Sequence, residues 1–133
     1  MKPTRIVAVA LLIAGSGWTL HAAQAQQPGI HRTDLLENDL GTPGREVVQV
    51  RVDIEPGAAS IKHSHPGEEI AYVLEGSLEY HLEGRASVTL HAGEALFIPD
   101  GVAHVAKNVG SSKASELATY IVTKGKPLLV PVN

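Results

Sequence analysis

Four residues of this sequence have the types and the spacing of ligands for a single metal ion. His63 and His65 are two residues apart, so on a β-strand both imidazoles would point to the same face. Glu69 follows after a Pro-Gly turn signal, where a reversed chain would bring its carboxylate back beside them. His104 belongs to a later segment, and a shared site requires that the fold bring it to the other three.

Three imidazoles and one carboxylate are a donor set that suits a divalent transition metal. Mn, Fe, Co, Ni, Cu and Zn all accept such ligands, and the donor set does not choose among them. Four protein ligands would leave one or two positions of an octahedral ion open for water or a substrate. The predicted metal ligands are therefore His63, His65, Glu69 and His104, and the predicted cofactor is one such ion of undetermined identity.

The segments that must position these residues have the patterns of short β-strands. Apolar and polar residues alternate with a period of two from Val48 to Ile54, which is typical of a half-buried strand. Residues 70–74 are continuously apolar, which indicates a strand covered on both faces. Further strands are predicted over 61–65, 78–82, 86–90, 95–98, 102–108 and 117–123, and a Pro-bounded edge strand over 128–132.

Gly and Pro mark turns between these runs, and no stretch has the period of a helix. Many short strands at near-regular spacing are typical of an all-β sandwich or barrel. Strands that close into a barrel would also let ligands converge from several directions. We therefore predict an all-β fold, a small antiparallel β-barrel.

The first 25 residues have the features of a secretory signal peptide. Lys2 and Arg5 precede an apolar run, and the sequence Ala23-Gln24-Ala25 is the small-x-small pattern of a cleavage site. The apolar run is short and interrupted, whereas a membrane-spanning helix needs about 20 apolar residues. We predict that residues 1–25 are removed, that Gln26 becomes the first residue, and that the mature chain has no stable membrane insertion.

The predicted mature chain has two parts. Residues 26–45 are polar and rich in turn residues, and we interpret them as an N-terminal arm, with one short strand at most, laid over the domain or over a neighbouring subunit. Residues 46–133 form the predicted barrel domain. The predicted location is the periplasm or the outside of the cell.

Charge and cysteine content restrict the partners of the mature chain. Without Lys2 and Arg5, nine basic residues stand against 14 acidic ones, a formal net charge of −5, and no basic cluster remains. Nucleic acid is therefore excluded as a partner, because neutralising phosphates requires grouped Lys and Arg. The chain has no cysteine, so an exported protein of this size depends on its core, a metal or a second subunit for stability.

Around its four candidate ligands the sequence resembles the cupin family at ten positions. The first cupin motif is Gly, five residues, His-x-His, three or four residues, Glu, six residues, Gly, and it is matched by Gly57, His63, His65, Glu69 and Gly76. The second motif is Gly, five residues, Pro-x-Gly, two residues, His, three residues, Asn, and it is matched by Gly93, Pro99, Gly101, His104 and Asn108. The resemblance implies a jelly-roll barrel (a double-stranded β-helix), a homodimer, and a metal on the four predicted ligands.

The cupin resemblance does not fix one reaction, because function depends on the site rather than on the fold. We predict an exported metal-dependent enzyme with a small-molecule substrate and a dioxygenase-like reaction, similar to that of quercetinase-type single-domain cupins acting on flavonoid- or diol-like compounds. Glu69 is the predicted catalytic residue, since a ligand carboxylate can leave the ion to take a proton. Two alternatives stay open: a non-catalytic periplasmic cupin that binds a metal or small ligand, and an isomerase or lyase.

The remaining polar and aromatic residues have structural interpretations. Asn108 is expected to cap local backbone, and Arg51 is the basic residue on a strand near enough to be considered for the pocket. Surface positions are predicted for His31, His81 and His91, and core positions for Tyr72, Tyr80, Phe97 and Tyr120.

Overall fold

The computed structural model of the protein describes residues 27–133, and the predicted leader over 1–25 lies outside these described residues. The described part of the chain consists of strands and loops, which confirms the all-β prediction. The ten strands are β1 (Ile30–Asp39), β2 (Arg45–Ile54), β3 (His63–Ser64), β4 (Gly67–Glu75), β5 (Ser77–Leu82), β6 (Val88–His91), β7 (Ala95–Ile98), β8 (His104–Asn108), β9 (Ala114–Thr123) and β10 (Val130–Pro131).

Two five-stranded antiparallel sheets form the barrel. The first sheet has the order β1-β2-β9-β4-β7 and the second the order β10-β3-β8-β5-β6. Buried side chains from both sheets form one hydrophobic core between them. Strands that are consecutive in sequence often lie in different sheets, as β3 and β4 do, so the chain crosses the core repeatedly. This is the jelly-roll arrangement that the cupin resemblance implies.

Strand β2 shows how the sequence pattern produces this core. Its buried positions alternate strictly with half-exposed ones over all ten residues, because successive side chains of a strand point to opposite faces. Val50 and Ile54 are each 1 % exposed, and they pack toward the second sheet. The neighbouring strand in the sheet, β9, pairs with β2 along its whole length, and its buried and half-exposed positions alternate from Glu116 onward.

Strand β4 differs from its prediction. The apolar run over 70–74 indicated a strand covered on both faces, but only one face of it is covered in the described part of the chain. Ala71 and Val73 are fully buried, whereas Ile70, Tyr72 and Leu74 are about 40 % exposed. An antiparallel sheet can leave one face open, and apolar side chains on that face do not by themselves indicate a second layer.

The segment predicted as an arm contains a longer strand than expected. Strand β1 has ten residues and pairs with β2 at the edge of the first sheet, with an irregularity between Asp34 and Leu36. Its side chains are mostly exposed, so it lacks the alternation that marks a half-buried strand in a sequence. The described part of the chain also contains no helix with the length and hydropathy needed to cross a membrane.

Candidate metal centre

The fold brings the four predicted ligands together between the two sheets. His63 on β3 is the direct neighbour of His104 on β8, and their ring centroids are 4.4 Å apart. His65 follows β3 immediately, with its ring 4.9 Å from that of His63 and 5.1 Å from that of His104. Glu69 reaches the imidazoles from β4 of the opposite sheet. At the Pro-Gly turn the chain therefore passes from the second sheet to the first.

Backbone carbonyl groups fix the orientation of the three imidazoles. Nδ1 of His63 lies 2.7 Å, and Nδ1 of His104 2.9 Å, from the carbonyl oxygen two residues before it in the chain. Nδ1 of His65 lies 2.6 Å from the carbonyl oxygen of Leu128. Because a carbonyl oxygen only accepts, each Nδ1 donates, and Nε2 of each neutral ring keeps its lone pair. Histidine ligands of metals are commonly oriented in this way.

The geometry at Glu69 fits a bound cation. Its Oε2 lies 3.0 Å from Nε2 of His65 and 3.2 Å from Nε2 of His104. Within residues 27–133, His65 Nε2 and Glu69 Oε2 are buried and have no hydrogen-bond partner of acceptable geometry. Two lone pairs at this distance repel each other unless a proton or a cation lies between them. At ligand distances of about 2.0–2.2 Å, two ligands at a right angle lie about 3 Å apart.

The three imidazoles can supply a metal with a set of neutral nitrogen donors. Their ligand atoms all lie within 4.8 Å of one another, and all three side chains are buried. Burial and, acting in the same direction, the nearby charge of His104 lower the pKa of His63 to about 4. His63 is therefore neutral at physiological pH, which is the protonation state that a metal requires.

Glu69 supplies the negative charge of this cluster. Burial alone would raise its pKa, but the close imidazoles of His104 and His65, which are cationic when protonated, outweigh burial and lower the pKa to about 2. His104 shows the reciprocal effect: burial would lower its pKa, but Glu69 outweighs burial and raises it. The cluster therefore offers a divalent ion one carboxylate in addition to the imidazole nitrogens.

A small cavity adjoins the imidazoles and Glu69. Its volume is about 20 Å³, which is room for one or two water molecules. Four ionisable residues that the sequence did not indicate as functional contribute to its lining: Arg32, Tyr80, Glu116 and Tyr120. The site is thus a metal-binding cluster with acidic, phenolic and cationic groups beside it.

Tyr80 and Glu116 form a buried pair in this cavity. The Tyr80 hydroxyl donates a hydrogen bond to the Glu116 carboxylate. Burial and, second, the charge of Glu69 raise the pKa of Glu116 to about 7. The predicted strand began at Leu117, one residue too late to include Glu116, and the alternation through Ala118 and Tyr120 would have placed Glu116 on the inner face.

Arg32 and Tyr120 form a second pair. Nη2 of Arg32 donates a hydrogen bond of 3.2 Å to the Tyr120 hydroxyl, and the Tyr120 ring lies 4.6 Å from that of His65. Arg32 was missed because it belongs to the predicted arm. Arg51, considered for the pocket, does not line this cavity and instead contacts Asp53 at 3.0 Å. The alternation of β2 places Arg51 on the face opposite to its buried valines.

Most of the structural interpretations agree with the structure. Nδ2 of Asn108 donates to the carbonyl oxygens of Ile54 and Ser112, and its Oδ1 accepts from Gly110, so it caps local backbone. Exposed positions are found for His31, His81 and His91. Tyr80 and Tyr120 are buried, but the core positions predicted for Tyr72 and Phe97 are wrong, since these side chains are 40 % and 56 % exposed on the open face of the first sheet.

Comparison with known families agrees with this fold and site. The family model described as a cupin domain matches residues 50–122. A germin-like protein of Arabidopsis thaliana (subfamily 2 member 2) is 37 % identical over 110 residues, which are 69 % of this chain and 50 % of the relative. Oxalate oxidase GF-2.8 of Triticum aestivum is 34 % identical over 101 residues, covering 70 % of this chain and 45 % of the relative.

Comparison with solved structures also identifies a similar fold. A structure of an oxalate oxidase superposes with a TM-score of 0.65 at 26 % identity and covers 99 % of this chain and 72 % of its own. The chain spans about half the length of the curated relatives it matches. The sequence similarity therefore concerns about half the length of these curated relatives.

Proposed function

Because this chain belongs to the cupin domain family, we propose that it is an exported metal-dependent enzyme that acts on a small organic molecule in a dioxygenase-like reaction. One observation carries the proposal: the cluster that can hold a metal lies at a cavity that is also lined by the buried, hydrogen-bonded pair of Tyr80 and Glu116. A buried carboxyl group with a pKa of about 7 can take up and release a proton near neutral pH, which supports a catalytic role for the site.

In this proposal, His63, His65, Glu69 and His104 hold the ion, which when bound supplies a Lewis acid and, with Fe, Mn or Ni, the capacity to react with oxygen. The Glu116 carboxyl group exchanges a proton with the substrate, because its pKa lies near neutral pH. Tyr80 orients that carboxyl group through its hydrogen bond. The predicted proton transfer by Glu69 is disfavoured by the low pKa of its carboxylate, and in this proposal Glu69 remains a ligand.

The cavity restricts the substrate by size. A volume of about 20 Å³ favours a small ligand over a fused-ring compound such as a flavonoid. Oxalate oxidases are among the relatives, and oxalate is much nearer to this size than a flavonoid is. Small acids and small diols are therefore the first substrates to test, with flavonoids as the comparison.

Oxygen consumption tests the reaction type. Protein loaded with Fe, Mn or Ni is expected to consume oxygen with at least one member of a panel of oxalate, other small acids, small diols and flavonoids. His104→Ala is expected to show no uptake above background. The absence of uptake with every metal and substrate would reject the dioxygenase-like reaction in favour of a non-catalytic binding cupin. Conversion of a substrate without oxygen would identify an isomerase or lyase.

The form of the chain in its native compartment is part of the same proposal. We expect a mature chain that begins at Gln26 and forms a homodimer outside the cytoplasm.

The open face of the first sheet, with Tyr72 and Phe97 exposed, is a surface that a second copy could cover. Native mass spectrometry of protein from the periplasm or culture medium measures both properties. A subunit mass that includes residues 1–25 would reject export by cleavage, and a monomer at micromolar concentration would reject the dimer.

A further inference from the structure

Arg32 is a cavity residue with unused hydrogen-bond donors. It lies on β1 opposite Val52, and its side chain lines the same cavity as His63 and Glu69. A guanidinium group has five N–H donors, and within residues 27–133 the Tyr120 hydroxyl is the hydrogen-bond partner of Arg32. The side chain is partly buried, so its remaining donors lie near the cavity with few competing water molecules. Such a group is suited to binding an acceptor-rich ligand.

Tyr120 connects this guanidinium group to the metal-binding cluster. The Arg32 guanidinium carbon lies 5.9 Å from the centre of the Tyr120 ring, and the ring packs against His65. The Arg32 guanidinium group stays positively charged. Burial would lower its pKa, but the Tyr120 hydroxyl and the charges of Glu116 and Glu69 outweigh burial and raise the pKa. The position and charge of the guanidinium group are therefore fixed relative to the cluster.

The charge balance of the cavity favours an anion once a divalent ion is bound. The ion and Arg32 together carry three positive charges. The opposing groups in the cavity lining are the carboxyl groups of Glu69 and Glu116, which together carry at most two negative charges. A small ligand that carries one negative charge reduces this excess, and a carboxylate matches the planar, two-pronged geometry of the guanidinium group.

We propose that Arg32 is a specificity-determining residue that binds the carboxylate of a small organic acid beside the metal-binding cluster. The proposal deepens the proposed function, on which it rests, by naming the substrate class of the same site. In this proposal β1, which has none of the cupin motif residues, becomes part of the substrate pocket.

A purely structural role for Arg32, in which it only neutralises Glu69 and Glu116, makes a different prediction. Its removal would then change stability or metal content, but it would not change the preference of the site for a carboxylate over its neutral amide. Acetate and acetamide have nearly the same shape and differ in charge. The ratio of their affinities therefore separates the two roles.

Calorimetric titration of the metal-loaded protein with acetate and with acetamide tests the proposal. The wild-type protein is expected to prefer acetate, and Arg32→Met is expected to weaken acetate binding about 10- to 100-fold with little change for acetamide. Arg32→Lys keeps the charge but loses the planar, two-pronged guanidinium geometry, so an intermediate loss of acetate affinity is expected. Arg51→Met, an arginine on β2 whose partners lie outside the cavity, is the matched control and is expected to bind acetate as the wild type does.

Wild-type acetate affinity in Arg32→Met, or equal affinity of the wild type for the two ligands, would overturn the proposal. If Arg32→Met does not retain metal or fold, Arg32→Lys decides: unchanged acetate affinity in that variant overturns it. Failure of the proposed function would look different. Acetate binding that depends on Arg32, without oxygen uptake on any substrate, would support this inference and reject the dioxygenase-like reaction. Oxygen uptake with neutral substrates only, at the same rate in the wild type and in Arg32→Met, would support the dioxygenase-like reaction and reject the role of Arg32.

Discussion

Replacement of His104 by alanine is expected to lower the affinity for a divalent transition metal by roughly 100-fold or more. His104 offers one of three buried nitrogen donors that lie within 4.8 Å of one another, and no other imidazole is close enough to replace it among the described residues. Elemental analysis of protein from the native compartment is expected to give about one equivalent for the wild type. The variant is expected to have lost most of it.

His81→Ala is the matched control for this experiment. His81 is also a strand histidine, but its side chain is exposed and contacts Ser87 rather than the cluster. The control is expected to retain the metal content of the wild type. Equal metal in the wild type and in His104→Ala would show that the metal is bound elsewhere, and the ligand assignment would have to be abandoned.

The same site is expected to lose affinity for its metal as the pH falls through about 6, because a ligand imidazole must be unprotonated. His104 is expected to take up the first proton, since its pKa is raised by Glu69 despite burial, whereas the pKa of His63 is lowered to about 4. Competition titration with a chromophoric chelator between pH 8 and pH 5 measures this dependence. An affinity that stays constant over this range would contradict binding through neutral imidazoles.

Replacement of Gly67 by alanine is expected to destabilise the fold by about 3 kcal/mol and to weaken metal binding at the same time. A Cβ atom at Gly67 would lie 2.1 Å from the carbonyl oxygen of Ile121 and 2.7 Å from Cα of Val122. These atoms belong to the backbone of β9, so no side-chain rotation can relieve the overlap. Strand β4 must move away from β9, and Glu69, two residues further along β4, moves with it.

Gly41→Ala is the control for the loss of a glycine. Gly41 lies in the loop between β1 and β2, and no atom beyond its chain neighbours lies within 4 Å of the added Cβ position. Its substitution is expected to leave stability unchanged or to raise it by up to about 1 kcal/mol, through a less flexible unfolded chain. Urea unfolding of both variants, with metal titrations, measures the difference. Wild-type stability of Gly67→Ala would refute the tight packing of β4 against β9.

The sequence predicted the strands and the candidate ligands correctly where an alternating pattern or a motif reflects a local constraint. The alternation from Val48 to Ile54 predicted β2 and its last residue correctly, because successive side chains of a strand point to opposite faces, although the strand begins three residues earlier, at Arg45. The turn residues separated strands that the structure has in nearly the same places, such as β7 at Ala95–Ile98. The motif spacing also indicated which imidazoles and which carboxylate the fold brings together, and the family comparison confirms the cupin assignment.

The open face of β4 illustrates what local sequence does not determine. A run of apolar residues is compatible with burial on both faces or with one exposed apolar face, since the free energy of burial depends on what lies opposite. The exposure of Tyr72 and Phe97 was decided by the order of the strands, which leaves the outer side of the first sheet uncovered within residues 27–133.

The sequence alone determined the candidate metal ligands, because their types and intervals are properties of short segments. Only the tertiary structure decided what surrounds them. Arg32 and Glu116 are far apart in the chain, and neither belongs to a motif, yet the pairing of β1 with β2 and of β2 with β9 brings both to the cavity beside His63 and His104. Contacts between distant strands depend on the order and register of the sheets, and those are set by the packing of the whole core rather than by any local pattern.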